Sequence, residues 1–348
     1  MPGMPLKGSV ILNGLSCAIR ELTELSGCSK LASLSKLCPA GILNMDDMDQ
    51  SPPSSRLRMV DLPLPMTGFR HFVTSWIHSD ADVAVLVDPG PASSIPTLIR
   101  ALEHLGVKRL DLVLLTHVHL DHSGGLGHLL RRYPEARVIC HPRGVPHLID
   151  PAKLWTVSLR NLGEIAEMYG RPDPTPPDRI GFEATIRIGG LTIESIETPG
   201  HAPHQLAFRM DGALFTGEAA GIFFPLADTF YLRVGCPPGG FDYPAYRRSL
   251  ERLRAVPASV LCFSHYGYTR DVRRALDLAI GQLDLWMSVA SKHAGEKEGA
   301  FEEKVIAELL GTDPAIACFE DLPDDVKSKE RWHLRHSVAG FRPYLQSK

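Results

Sequence analysis

Four side chains able to bind a metal fall within six consecutive positions: His117, His119, Asp121 and His122, in the run Thr116-His117-Val118-His119-Leu120-Asp121-His122-Ser123-Gly124-Gly125. In extended chain, residues two apart share a face, so His117 and His119 are placed to meet one ion. Asp121 and His122 sit where the chain turns into a helix, and can swing toward a second ion nearby. The chain has 15 His among 348 residues, and a cluster of this kind is on the order of a one-in-a-thousand accident. Surface polarity or helix capping would account for each of the four residues singly, but not for their spacing.

The elements that must carry this run are legible around it. Residues 110–115 are a short apolar run of buried-strand type that delivers the chain to His117. Before it, 72–77 and 83–87 read as strands, the second stopping at the turn Asp88-Pro89-Gly90-Pro91. The spacing of Ile95, Leu98, Ile99, Leu102 and Leu105 predicts a helix over 94–106. After the run, 125–132 reads as a short helix, 136–140 as a strand and 150–169 as one helix, and 171–178 is a Pro-rich link. Strands 185–188 and 191–197 flank Gly189-Gly190, a hairpin signal. The 221–244 segment carries Phe223, Phe224, Phe230, Tyr231, Phe241 and Tyr243 and reads as an aromatic binding loop or lid. Beyond His265 the chain is mostly helical: Val272, Ala275, Leu276, Ala279, Leu283 and Trp286 share one face, and 301–310 follows. Alternating strands and helices predict a layered α/β protein.

The histidine run resembles that of the metallo-β-lactamase superfamily, its binuclear, lactonase- or glyoxalase II-like branch, and the resemblance extends from about Arg58 to His265. It implies an αββα sandwich spanning residues 57–268, preceded by an extension over 1–56 and followed by a helical segment over 269–348. Two further segments match in order. Thr198-Pro199-Gly200-His201 follows a strand and implies His201 as a ligand of the first metal; Ser264-His265-Tyr266-Gly267 follows the strand 259–263 and implies His265 on the second. Asp88-Pro89-Gly90 resembles the family's early Asp-x-Gly turn, which implies that Asp88 buttresses the ligand loop.

One position departs from the pattern. Where many relatives have Gly-Asp, this chain has Gly217-Glu218, so Glu218 would have to be the carboxylate that bridges two metals. Its oxygens have the donor chemistry of Asp, and a small backbone shift absorbs the extra methylene. The alternatives are a weakened second site or a helix-capping acid. His204, His141, Tyr231, Tyr266 and Trp155 lie near these segments, and packing or ordinary polar roles fit them better than ligation or substrate contact.

Five His and two carboxylates suit two divalent ions, zinc first, with iron or manganese as alternatives. The expected reaction is hydrolysis of an ester, lactone or thioester by a hydroxide held between the metals, with Asp121 orienting it as well as binding metal. A mononuclear-iron dioxygenase, a small-molecule phosphodiesterase and a low-turnover ligand-binding or regulatory protein of the same fold are the rivals. The C-terminal helices, the 150–169 insertion and the 221–244 loop are expected to wall a pocket for a compact, partly apolar small molecule.

Composition bounds these readings. A net charge of −3 and a sequence pI near 6.6 argue against a nucleic-acid partner. No apolar run reaches the roughly 18–20 residues needed to span a bilayer, so no membrane association is expected. The mildly apolar 8–19 stretch has only Lys7 before it and Asn13 within it, a poor match to an export signal. Seven Cys, an odd number without C-x-x-C spacing, fit free thiols in a reducing cytoplasm. Apolar faces on the C-terminal helices allow a homo-oligomer, although covering the core would use the same faces.

Overall fold

The computed structural model describes residues 55–226, 229–239 and 241–347, so the expectations for the chain before Ser55 lie outside the described residues. Strands β1 (Leu57–Asp61), β2 (Thr74–Ser79), β3 (Ala84–Val87), β4 (Leu112–Leu114), β5 (Arg137–Ile139) and β6 (Ile180–Gly181) form one sheet in that order. The first three pair antiparallel and the last four run parallel. Parallel neighbours need crossovers. These are α1 (Ile95–His104), then α2 (Leu120–Ser123) with α3 (Leu126–Arg132), then α4 (Val145–Ile149), α5 (Ala152–Leu162) and α6 (Glu164–Tyr169). The single helix expected over 150–169 is broken at Gly163, whose φ of +54° only glycine adopts without strain.

A second six-stranded sheet takes β7 (Thr185–Ile188), β8 (Leu191–Glu197), β9 (Leu206–Met210) and β10 (Ala213–Phe215). A separate hairpin, β11 (Ile222–Pro225) and β12 (Phe230–Arg233), and helix α7 (Tyr243–Arg254) precede the last two strands, β13 (Val260–Cys262) and β14 (Tyr268–Thr269). The order across the sheet is β14-β13-β10-β9-β8-β7. Helices α8 (Val272–Lys292), α9 (Ala300–Thr312) and α10 (Asp324–Gln346) follow. No helix among the described residues is long and apolar enough to cross a membrane.

Side-chain alternation explains the layering. Successive strand residues point to opposite faces, and the buried apolar residues sort accordingly. Val85, Val87, Leu112 and Leu114 pack with Ala213, Phe215, Val260 and Cys262 between the sheets. Their neighbours Ala84, Leu86 and Val113 pack with α1 residues Leu98 and Leu102, while Leu214 and Leu261 pack with α8 and α10. Central strands buried on both faces must be apolar at every position, as in the Ala-Val-Leu-Val of β3. The result is the helix, sheet, sheet, helix arrangement that the sequence implied.

The aromatics of the 221–244 segment do not form a lid. Phe223 and Tyr231 are buried in the core shared by the second sheet and the C-terminal helices, with the Phe223 ring stacked on Phe263 at 4.5 Å. The segment pairs with itself as a hairpin and covers the sheet, because burying several aromatic rings outweighs leaving them at a loop surface.

A buried ionic cluster fixes α10 to this hairpin. The Arg233 guanidinium donates to Glu330 at 2.8 Å and to Ser337 Oγ at 2.7 Å, and Lys329 Nζ lies 3.1 Å from the other Glu330 oxygen. Burial alone would raise the Glu330 pKa, but the two cations outweigh it and hold the carboxyl below its ordinary range. Glu330→Ala leaves two buried cations unpaired, so it is expected to lower stability by about 3–5 kcal/mol. Urea unfolding of the variant against wild type checks this; a loss under about 1 kcal/mol would contradict it.

Candidate metal centre

The site forms at one end of the sheets, just beyond the ends of β3, β4, β8, β10 and β13. Asp88 follows β3 with φ of +53° and is almost fully buried. Its Oδ1 accepts the Thr116 N–H at 2.8 Å, and its Oδ2 accepts the hydroxyls of Thr116 and Ser264, both at 2.7 Å. Ser75 Oγ donates to the Asp88 carbonyl. One carboxylate thereby ties the ends of β3, β4 and β13 together, the buttressing that the Asp-x-Gly turn implied. Thr116 leads directly into His117, so this anchor sets where the histidine run begins.

From there each candidate residue has a defined place. His117 and His119 lie on extended chain before α2, and Asp121 and His122 lie in α2 itself. His201 follows β8, Glu218 follows β10, and His265 follows β13. All seven converge as two groups that share Glu218: His117, His119, His201 and Glu218, and Asp121, His122, His265 and Glu218. In the first group, His119 Nδ1 is 3.0 Å from His117 Nε2 and 3.1 Å from His201 Nε2. Glu218 Oε1 lies 3.6 Å from His117 Nε2 and 3.3 Å from His201 Nε2. It also lies 3.4 Å from Nε2 of both His122 and His265, which sit 3.5 and 3.6 Å from Asp121 Oδ2.

These spacings fit a cation better than they fit hydrogen bonding. His201 Nδ1 faces the Gly235 carbonyl at 2.9 Å and His265 Nδ1 faces the Phe72 carbonyl at 3.1 Å. A carbonyl can only accept, so in the neutral rings these outer nitrogens carry the hydrogen and the inner Nε2 atoms present lone pairs. Lone pairs then converge on carboxylate oxygens. Ligands at about 2.0–2.1 Å from a tetrahedral ion lie about 3.3–3.4 Å from one another, close to the separations here. Buried His122, moreover, makes no hydrogen bond through either ring nitrogen among the described residues.

The electrostatics follow the same arrangement. Burial and the neighbouring imidazoles depress His117 well below its ordinary range, and burial takes His119 down to about 4. Burial also opposes charge on His122, yet Asp121, Asp88 and Glu218 outweigh it and raise its pKa well above normal. Glu218 is held well below the carboxylate range by the surrounding histidines, against the effect of its own burial. A neutral imidazole and an ionised carboxylate are the metal-binding forms, so His117, His119 and Glu218 already hold the state a metal needs, whereas His122, charged among its carboxylates, would release its proton as a metal binds.

Glu218 fits because of a residue 17 positions later. A Cβ added at Gly235 would lie 2.4 Å from Glu218 Oε2, so the longer acidic side chain occupies space that any other residue at 235 would fill. No backbone requirement explains this glycine, and its partner is not a sequence neighbour, so the sequence offered no signal for it. Tyr169, at the end of α6, was likewise not singled out, yet it lines the cavity above the centre. Of the lesser candidates, His204 lines that cavity, with burial lowering its pKa to about 3. His141 instead accepts the Arg143 N–H in a local turn. Tyr231, Tyr266 and Trp155 do not line the cavity.

That cavity has a volume of about 400 Å³. His119, Asp121, His201, Glu218 and His265 reach its floor, α5 and α6 form one wall, and α10 and the 235–239 turn form another. All three expected wall elements, the C-terminal helices, the 150–169 insertion and the 221–244 segment, therefore border the cavity. The third contributes through Ile222, Arg233 and the turn after β12, not through its aromatics.

A family model described as the metallo-beta-lactamase superfamily matches residues 69–265. A metallo-beta-lactamase fold-containing protein of Sulfurisphaera tokodaii is 28% identical over 213 residues, 59% of this chain and 77% of that one. A hydroxyacylglutathione hydrolase of Cupriavidus taiwanensis is 31% identical over 215 residues, 61% of this chain and 70% of that one. In three dimensions the chain is similar to an archaeal metallo-beta-lactamase superfamily protein from Sulfolobus tokodaii, with a TM-score of 0.61 at 22% identity over 83% of this chain and 98% of that one. It is also similar to a metallo-beta-lactamase family protein from Thermus thermophilus, with a TM-score of 0.59 at 19% identity over 85% and 95% of the two chains.

Gly235→Ala drives a methyl group into Glu218 without touching any candidate ligand covalently. We expect a folded protein that retains metal at least about tenfold more weakly, the scale at which supporting positions act on metal sites. Elemental analysis after dialysis against a graded chelator, with circular dichroism as the folding control, checks this; unchanged retention would mean that the Glu218 position does not matter to the metal.

Proposed function

Because the chain belongs to the metallo-β-lactamase superfamily, we propose that it is a hydrolase of a small carboxylic ester, lactone or thioester that works with two divalent ions. Zinc is the first candidate for those ions, with iron or manganese next. The observation that carries this reading is Glu218 Oε1, which lies 3.3–3.6 Å from the inner nitrogens of His117, His201, His122 and His265 and so belongs to both donor groups. A carboxylate shared in this way suits two cations side by side. His117, His119 and His201 would hold one, Asp121, His122 and His265 the other, and Glu218 both. Relatives that carry the name hydroxyacylglutathione hydrolase add support for hydrolysis.

Bound divalent ions supply Lewis acidity toward a carbonyl oxygen and make water acidic enough to ionise near neutral pH. The chain's own groups supply position. Hydrogen bonds from His201 and His265 to backbone carbonyls prevent their rings from turning away. Asp121 Oδ2 faces His122 and His265, while the same residue borders the cavity. Its carboxylate is therefore placed to accept a hydrogen bond from the attacking water and to orient it. Leu154, Val157 and Leu162 of α5, with Trp332 of α10, border the cavity and would exclude bulk water and seat the acyl group.

Elemental analysis of protein purified without added metal tests the reading, with two metal ions per chain expected. One redox-active iron, or no metal, would overturn it. His119→Ala should lower both metal content and turnover of a responsive ester, lactone or thioester, with turnover falling more than about a hundredfold; full turnover in that variant would exclude the assigned site.

A further inference from the structure

Two hollows border α10, the cavity over the metal centre and another next to it. The second, of about 430 Å³, is bordered by Met66, Phe69 and the first residues of α6. The two share four lining residues: Leu162 and Ile165 from α5 and α6, and Trp332 and His333 from α10. Leu162, Ile165 and Trp332 are apolar, and burial holds the His333 imidazole neutral, with its pKa lowered to about 3. The border between the two hollows, between α6 and α10, is therefore mainly apolar, while Thr67, Glu164, Ser328 and Lys329 also line the outer hollow.

Trp332 gives an independent indication. Among the described residues only Ile149, Phe182 and Trp332 are large apolar side chains left exposed, and Trp332 is 39% exposed. It alone of the three stands at the junction of the two hollows. An indole held at the surface by a helix, stacked on His336 with ring centroids 5.0 Å apart, offers a face for apolar matter lying along that border. The border shared with the reaction cavity says what that matter is, because a ligand whose carbonyl sits at the metal centre reaches the second hollow through the rest of its own acyl group.

Resting on the hydrolase reading above, we propose that the substrate carries an extended aliphatic acyl chain, which runs from the cavity past Leu162, Ile165 and Trp332 into the hollow beside Met66 and Phe69. Such a substrate departs from the compact small molecule expected from the sequence. Each methylene added within the path leaves water for an apolar surface, and this strengthens binding by roughly two- to fourfold per carbon until the chain outgrows the hollow.

Two measurements on the metal-loaded full chain test this. The first is kcat/KM for a homologous series of aryl esters and thioesters from butyryl to decanoyl. The second is calorimetric binding of the matching straight-chain alkanols, which are neutral, weak metal ligands and need no turnover to be detected. Both series should rise with chain length, and Trp332→Glu, a substitution at an exposed position, should flatten the rise while short-chain and long-chain values converge. Hydrolysis with equal kcat/KM across the series would overturn the acyl-chain path and leave the hydrolase reading intact. Alkanol affinity that rises with length and depends on Trp332, in a protein that hydrolyses none of the esters, would support the path and overturn the hydrolase reading. A rise that survives unchanged in Trp332→Glu would overturn the path, because the chain would then be binding elsewhere.

Discussion

Electron-rich atoms repel, and the centre of this molecule holds seven side chains whose nitrogens and oxygens face one another across 3.0–3.6 Å. Left to themselves these side chains would turn outward to water. The surrounding structure supplies the restraint: the Asp88 carboxylate fixes the entry to the histidine run, backbone carbonyls lock the His201 and His265 rings, and two apolar sheets bring strand ends together that lie far apart in sequence. A bound cation would remove the repulsion and turn restraint into preorganisation, which would link metal binding to the stability of this end of the fold.

Much of this was legible because it is local. The spacing of His117, His119, Asp121 and His122 is written within one turn of chain, and the apolar runs of β3 and β4 declare themselves buried on both faces. Strands β7 and β8 lie where alternation and the Gly189-Gly190 turn placed them. What was not legible depends on partners distant in sequence. The aromatics at Phe223 and Tyr231 look the same in a lid and in a core; only the presence of α8 and α10 to pack against decides between them. The break at Gly163 needed the knowledge that the insertion must bend back over the site, since a lone glycine within a helical pattern is tolerated elsewhere. Gly235 carried no signal because its constraint is a carboxylate oxygen from another loop.

The chemistry and the selectivity of the site come from different parts of the chain. Every proposed ligand follows a strand of the two central sheets, within the stretch that matches the family model. The cavity walls come from α5 and α6, inserted between β5 and β6, and from α10, which lies beyond that stretch. Walls can therefore change without disturbing the donor atoms, and for this reason a shared fold does not carry a shared substrate.

The Arg233, Lys329 and Glu330 cluster joins those two parts. A buried ion pair is seldom the most stabilising solution, since apolar packing of the same volume often serves as well or better. Its directionality is what packing lacks: Arg233 makes hydrogen bonds to Glu330 and Ser337, about two helical turns apart on α10, and a shift of α10 by even one residue would break both. The register so fixed sets Trp332, His333 and His336 along the cavity. A helix held only by its apolar stripe could slide among near-equivalent packings; this one is pinned, and the shape of the cavity is pinned with it.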